Sequence, residues 1–288
     1  MGNIYWRKIF ILDDDLSPTE IHQDYRFGDT VLGSNITYLM KLVLCIKKFP
    51  EGILLIKTIL KDCPEEINKR NIYGRSALLL ACEYCSNYET IKLLLDAGAN
   101  MDHDIYPALS MACMFSSTEI IKLLISAGAD INFKNRLGDS ALSYLCRHNE
   151  DRTDAIELLI NAGINLTTVD VYGRTYLMDI CDNSNSTIKA ISLLIDTSID
   201  AQDKNGFTAL MYFMRRNIIE DIDFLMYFVG KSKASLHLLN KENQTSYDIY
   251  QSSNIDILDE YQLNILKGEC LVNNTKSAKK IGTQSTIL

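Results

Sequence analysis

NKRNIYGRSALLLACEYCSNYETIKLLLDAGANMD, residues 68–102, decides the fold. Taken alone it spells two short helices with a turn on either side. Ser76 sits where a hydroxyl caps the first helix, and Gly74, two positions earlier, permits the turn that enters it. In the second helix Ile91, Leu94 and Leu95 share one face at i, i+3, i+4 spacing. Gly98 follows where a left-handed cap is expected. The same features return downstream in the same order. First-helix starts recur as YPALSMAC (106–113), DSALSYLC (139–146), RTYLMDIC (174–181) and FTALMYFM (207–214). Second helices recur as IKLLI (121–125), IELLI (156–160), ISLLI (191–195) and IDFLM (222–226). Ala77, Ala108, Ala141, Tyr176 and Ala209 follow one another at intervals of 31, 33, 35 and 33 residues. A helix pair this short is not stable alone. Stacking on its neighbours buries the Ile/Leu face, so the pattern predicts an all-α repeat array with a continuous core.

Working outward, residues 1–29 match no copy and read as an N-terminal leader, with a helix start at Leu16–Glu20 where Ser17 is the N-cap and Pro18 the first helical residue. The array is expected over 30–266. It opens with a degenerate unit at 30–70, whose helices are TYLMKLVLCI (37–46) and GILLIKTIL (52–60). Clear repeats fill about 71–239. A partial, capping unit at 240–266 follows, with QTSYDIY (244–250) leading into a last helix near 255–266. The polar stretch after Lys267 predicts a disordered tail over 267–288.

Composition narrows the function. The chain has 288 residues, 47% of them hydrophobic, and a net charge of -8. That charge argues against binding a nucleic-acid backbone, which needs a basic face. No apolar run approaches the roughly 20 residues that span a bilayer, so no membrane partner is expected. Ile9–Leu12 is too short for an export signal and three aspartates follow it. Trp6 stands where a myristoylation motif wants Ser or Thr. A cytoplasmic location is therefore expected, with the eight cysteines as reduced thiols. Cys82-x-x-Cys85 could be half of a metal or redox motif. Yet Cys82, Cys113, Cys146 and Cys181 fall in one column of successive copies, five residues after the helix-start residue. There a free cysteine behaves as a small buried hydrophobe, and Cys85 is left as an isolated loop or helix-end thiol. Cys146 and His148 lie close together, but no ligand or catalytic pattern surrounds them, and His148 reads as a solvated loop residue. Asp13, Asp14 and Asp15 lack the alternation and the glycine of a calcium loop. No phosphate loop or nucleophile elbow is present. No catalytic residue, metal or cofactor is expected, and the chain reads as non-enzymatic. The final Ser285-Thr286-Ile287-Leu288 fits a carboxylate-binding pattern that also arises by chance.

D-V-Y-G-R-T (170–175), D-K-N-G-F-T (203–208) and LLDAGANMD (94–102), repeated in phase, resemble the ankyrin repeat over roughly 29–250. The family unit is near 33 residues, with a hairpin ending D-x-x-G-x-T, a T-P-L-H helix start and a second helix ending L-L-x-x-G-A. The resemblance implies a helical solenoid with hairpin fingers. It also implies a protein-binding scaffold that is monomeric and works through hairpin tips and a concave helix face. The chain departs from the family in several places. The T-P-L-H proline and histidine are absent from the clear copies, which loses a hydroxyl–imidazole contact. The second copy lacks the turn glycine and is three residues short, so its finger should be blunt. Ser198 stands where a glycine caps the second helix. The leaning toward Ile, Asn, Lys and Tyr is similar to that of ankyrin proteins of giant DNA viruses of amoebae, which would place the protein in a host cytoplasm. Carried over by position, the exposed columns hold Tyr73, Arg75, Glu83 and Tyr84 in the first clear copy. They hold Arg136, Asp139, Arg147 and His148 in the third, Tyr172, Arg174, Asp182 and Asn183 in the fourth, and Asn205, Phe207, Arg215 and Arg216 in the fifth. Tyr and Arg are enriched at binding hot spots. The candidate partner-binding residues are therefore Tyr73, Arg75, Tyr84, Arg136, Arg147, Tyr172, Arg174, Phe207, Arg215 and Arg216. Two rivals are a substrate adaptor for a ubiquitin ligase, which needs an F-box-like segment at one end, and an enzyme or regulatory arm with its chemistry in the leader.

Overall fold

A computed structural model describes residues 35–46, 50–101, 107–216, 221–232, 235–253 and 257–268. The expected leader, its helix start, the three aspartates, the short second finger and the C-terminal tail all lie wholly or mainly outside these residues. Every regular element among the described residues is helical. The chain divides into two compact units, one ending at Asn100 and the other beginning at Met101.

The first unit contains α1 (Tyr38–Cys45), α2 (Gly52–Asp62), α3 (Ala77–Leu80) and α4 (Tyr88–Asp96). α1 packs on α2 and α3, and α2 and α3 both pack on α4. Leu39, Met40, Val43, Ile56, Leu78, Ile91 and Leu94 form the core between them. The Thr37 and Ser76 hydroxyls accept the Met40 and Leu79 N–H groups, as cap positions should. One expectation is corrected here. The first helix of this copy does not run on as an α-helix; it becomes a π-helical turn over Ala81–Cys85, closed by Ser86 N–H to the Ala81 carbonyl at 2.9 Å. Cys82 to Ile91 is one residue longer than Cys113 to Ile121, and the π turn absorbs that extra residue.

The second unit contains α5 (Ala108–Phe115), α6 (Thr118–Ser126), α7 (Ala141–Cys146), α8 (Thr153–Asn161), α9 (Tyr176–Asp182), α10 (Ile188–Ser192), α11 (Ala209–Met214), α12 (Ile222–Lys231), α13 (Ser246–Ser252) and α14 (Glu260–Leu266). First helices stack on first helices, α5 on α7 on α9 on α11 on α13, and second helices stack α6 on α8 on α10. Leu109, Leu142, Leu177 and Leu210 bury one layer, and Ile121, Ile156, Ile191 and Leu225 the other. Thr175 and Thr208 cap their helices through the Met178 and Met211 N–H groups. Cys113, Cys146 and Cys181 are fully buried free thiols in this stack, as is Cys82 in the first unit. Cys85 is buried too, at the end of the π turn. Burial pushes the Cys113 thiol up to about 12 and raises those of Cys146 and Cys181 as well.

The second helix of the fourth copy is shorter than its counterparts. α10 spans five residues where α6 and α8 span nine. In α6 and α8, a glycine at positive φ lets two closing bonds form, for example Gly128 N–H to Ile125 O and Ala129 N–H to Leu124 O, both 3.0 Å. Ser198 takes the same left-handed region at φ 50° against its Cβ. The capping unit has a hairpin at Asn240, a Thr245 cap on α13 and a last helix, α14.

Candidate functional site

The hairpins are built on one device. In each hairpin among the described residues, the side-chain Oδ1 of the first Asx residue accepts two backbone N–H groups. Asn135 takes those of Leu137 and Asp139, Asp170 those of Tyr172 and Arg174, Asp203 those of Asn205 and Phe207, and Asn240 those of Glu242 and Gln244, at 2.8–2.9 Å. Asn71 does the same for Tyr73 and Arg75 in the first unit. Successive tips in the second unit are joined by backbone bonds: Val171 N–H to Leu137 O at 3.0 Å, Lys204 to Tyr172 at 2.8 Å and Lys241 to Asn205 at 2.9 Å. A Cβ on Gly138 would stand 2.8 Å from the Asp170 Cα, so glycine is needed there for close approach as well as for its positive φ.

On these tips Tyr172 is 58% exposed and Leu137 53%, with Arg136 also exposed. In the first unit Tyr73 is 49% exposed. The tips therefore present large side chains outward, as the sequence reading expected.

The arginines are placed differently. Arg75 pairs with Glu83 and reaches the Tyr84 hydroxyl at 3.3 Å. Burial, with a hydrogen bond to Glu83, pushes the Tyr84 phenol up. Arg147 bridges Asp139 and Asp179, each at 2.8 Å, and stands 3.6 Å from Asp170. Arg174 bridges Asp179 at 2.9 Å and Asp182 at 3.0 Å, with its guanidinium 4.5 Å from the Tyr212 ring centre. Arg215 pairs with Asp182 at 2.6 Å and lies over the Tyr212 and Phe207 rings at 5.1 and 5.7 Å. Arg216 donates to the Ser184 and Ser186 carbonyls and covers the Phe213 ring. The result is a ladder, Asp139–Arg147–Asp179–Arg174–Asp182–Arg215, running through three copies. Desolvation lowers the affinity of Arg147 and Arg174 for their protons, but the carboxylates outweigh it and both are held above the ordinary arginine value.

Two links of this ladder escaped the sequence reading. Asp179 was not singled out, although it is the charged residue in a first-helix position that is Leu80, Met111, Tyr144, Tyr212 or Ile249 elsewhere. The second is a sign alternation. The residue before the cap and the residue seven after it read Arg75/Glu83, then Asp139/Arg147, then Arg174/Asp182. Opposite charges at a fixed spacing, reversed between copies, are the signal that could have found the pairs. His148 is also not a solvated loop residue. Its Nδ1 accepts from Glu150 N–H and its Nε2 donates to the Met114 carbonyl at 3.1 Å. Asn183 likewise donates to the Cys146 and His148 carbonyls. These side chains satisfy carbonyls at and beyond the first-helix end of the copy before them.

Between copies three and four, Leu137, Asp139, Arg147, Asp170, Tyr172, Arg174, Asp179, Asp182 and Asn183 line a cleft of about 410 Å³. Among the described residues no cluster of three or more His, Cys, Asp or Glu side chains is arranged to hold a metal ion. No helix there is long and apolar enough to cross a membrane.

A family model described as ankyrin repeats matches the chain in three copies, over residues 42–135, 109–196 and 142–236. Ankyrin repeat protein L122 of Acanthamoeba polyphaga mimivirus is 39% identical over 80 residues, which is 27% of this chain and 13% of that protein. The chain thus aligns with a small part of this relative's length. Among solved structures, the crystal structure of the ankyrin repeat domain of Bcl-3, a member of the IkappaB protein family, aligns with a TM-score of 0.58 at 21% identity, covering 82% of this chain and all of that one. At that identity the likeness shows the fold alone. Ankyrin repeats are in general protein-interaction modules, and this chain belongs to the ankyrin repeat family.

Proposed function

We propose that the chain is a non-enzymatic scaffold that binds a partner protein through the tips of its hairpins and the adjoining face of its first helices. The observation that carries this reading is the exposure of Leu137 and Tyr172 on hairpins held by Asx and tip-to-tip backbone hydrogen bonds. Large apolar groups on a rigid base bind with little entropic loss, and aromatic residues are frequent hot spots. The arginines contribute differently from what their column position suggested. Arg75, Arg147, Arg174, Arg215 and Arg216 hold neighbouring elements together, so their first role is to shape the surface. Tyr172 and Arg136 in the second unit and Tyr73 in the first are the candidates for direct contact. A viral setting with a host protein as partner extends this reading and rests on the likeness to L122.

The test is affinity capture from the native cell with the full chain and with Leu137→Asp/Tyr172→Asp. Both positions are exposed, so the variant should fold. Loss of the captured partner is the expected result. Capture of the same partner at wild-type levels would remove the tips from the binding surface.

A further inference from the structure

The cleft between copies three and four is where one repeat departs from its neighbours. In copies three and five the position nine residues after the hairpin Asx is a tyrosine whose hydroxyl bonds that Asx side chain. Asn135 donates to Tyr144 Oη at 2.9 Å, and Tyr212 donates to Asp203 Oδ2 at 2.7 Å. In copy four the same position is Asp179, a carboxylate that cannot donate. Two consequences follow. The ring that fills this place in the flanking copies is missing, and the cleft lies there. The Asp170 Oδ2 also loses that hydroxyl donor: among the described residues its partner is Arg147, an ion pair at 3.6 Å that is longer than a hydrogen bond. Yet the Asp170 side chain is only 6% exposed and Asp179 only 2%. Asp170 lines the open cleft, so a donor that enters the cleft can reach this oxygen.

The charges around it do not balance. Asp139, Asp170, Asp179 and Asp182 face Arg147, Arg174 and Arg215, which leaves one negative charge uncompensated. The rim beside it carries the exposed Tyr172 and Leu137. A group that completes the site must be a hydrogen-bond donor, carry one positive charge and arrive on an apolar stem. We propose that this cleft takes a basic side chain, flanked by apolar residues, from the partner protein. The cation donates to Asp170 Oδ2 in place of the absent tyrosine hydroxyl, and its methylenes lie along Tyr172 and Leu137. This rests on the scaffold reading above and gives the chemistry that the partner must show.

The test is a peptide array probed with the full chain. Nine-residue peptides carry a central lysine between leucine and tyrosine neighbours, and matched peptides replace the lysine by norleucine or glutamate. The lysine peptides should retain at least tenfold more protein than the norleucine peptides, and the preference should shrink as salt rises. Asp179→Tyr refills the cleft with the residue its neighbours use and should abolish the preference. Asp170→Asn keeps the hairpin, since Asn135 and Asn240 hold the same two backbone N–H groups, and should reduce the preference severalfold. Equal retention of lysine and norleucine peptides, no retention of any peptide, or a lysine preference that survives Asp179→Tyr would each overturn the proposal. If the natural partner is captured by wild type, lost from Leu137→Asp/Tyr172→Asp, and unaffected by Asp179→Tyr, the scaffold reading stands and this cleft is not its recognition site.

Discussion

Asp179 is the residue at which this chain is most unlike a regular array. Burial pushes its carboxyl above the ordinary aspartate value of 3.8, and Arg147 and Arg174 pull it back only in part. The sign of the consequence is fixed by linkage. A carboxyl raised in the folded chain adds stability that is fully present below the unfolded value and is lost as pH rises through the raised one. Asp248 runs the other way, because the Thr245 backbone N–H and hydroxyl hold it down; its stabilisation is present above 3.8 and lost as pH falls through its lowered value. Carboxyl-carbon NMR titration should therefore place Asp179 above and Asp248 below that value. An Asp179 titrating below it would mean that the two guanidinium groups outweigh burial. Removing the side chain is a separate matter. Asp179→Ala unties Arg147 from Arg174 and should cost about 1–3 kcal/mol, read as a shift in chemical denaturation midpoint. Asp179→Tyr should lose much less, because a hydroxyl there can donate to Asp170 while Arg147 keeps Asp139 and Arg174 keeps Asp182. Equal losses for the two variants would show that the ion pairs, not the missing donor, dominate this position. The candidate residues themselves were legible as columns, but their roles were not. Arg147 and Arg174 look available in sequence because a column shows which way a side chain leaves its helix, not what waits for it in the next copy.

Individual helices follow their local signals closely, and where they fail the cause is a single residue or a single count. Ser76 was readable as a cap and acts as one, and Thr37, Thr175 and Thr208 cap their helices in the same way. Ser140 holds the same place in a capping box with Ser143, and its hydroxyl also bonds Tyr176 of the next copy at 2.8 Å, a bond between copies that no single copy predicts. The π turn at Ala81–Cys85 was hidden because loop length alone does not say whether an extra residue enters the helix or the loop. Copies three and four carry longer linkers and absorb them outside the helix. Ser198 was readable as a defect, and α10 shows its structural extent. Replacing Ser198 by Gly removes the Cβ from a φ of 50° and should stabilise the chain by up to about 1 kcal/mol. The thermal midpoint and the amide-exchange protection of residues 193–197 should both rise. Unchanged protection there would mean that the short α10 has another cause. The opposite substitution at a hairpin should be damaging. Gly138→Ala drives a methyl against the Asp170 backbone as well as straining φ, so its cost should exceed that of Gly163→Ala, where a Cβ meets nothing within 4 Å.

At the scale of the molecule, the fold was readable because a repeat is tested several times over. One helix pair with a left-handed glycine is weak information; five in phase are not. What the period cannot give is how strongly one part of the chain feels another. In stacked repeats stability is close to a sum of unit and neighbour terms, so partial unfolding is the natural behaviour. The buried cysteine column provides reporters for this. Cys82 lies in the first compact unit, and Cys113, Cys146 and Cys181 lie in the second. All four are fully buried in the folded chain, and burial raises the titration of the three in the second unit. Among the described cysteines, Cys45 and Cys63 are only partly buried and should react before these four. Leu177→Ala leaves a cavity in the fully buried layer of the second unit and should cost about 2–5 kcal/mol. Thiol labelling followed by peptide mapping should then show Cys146 and Cys181 modified much faster in the variant. Cys82, which lies in the other compact unit, should keep its wild-type rate. If Cys82 instead accelerates by the same factor, the two units unfold together, and the neighbour terms along this chain are large enough to make it one cooperative body.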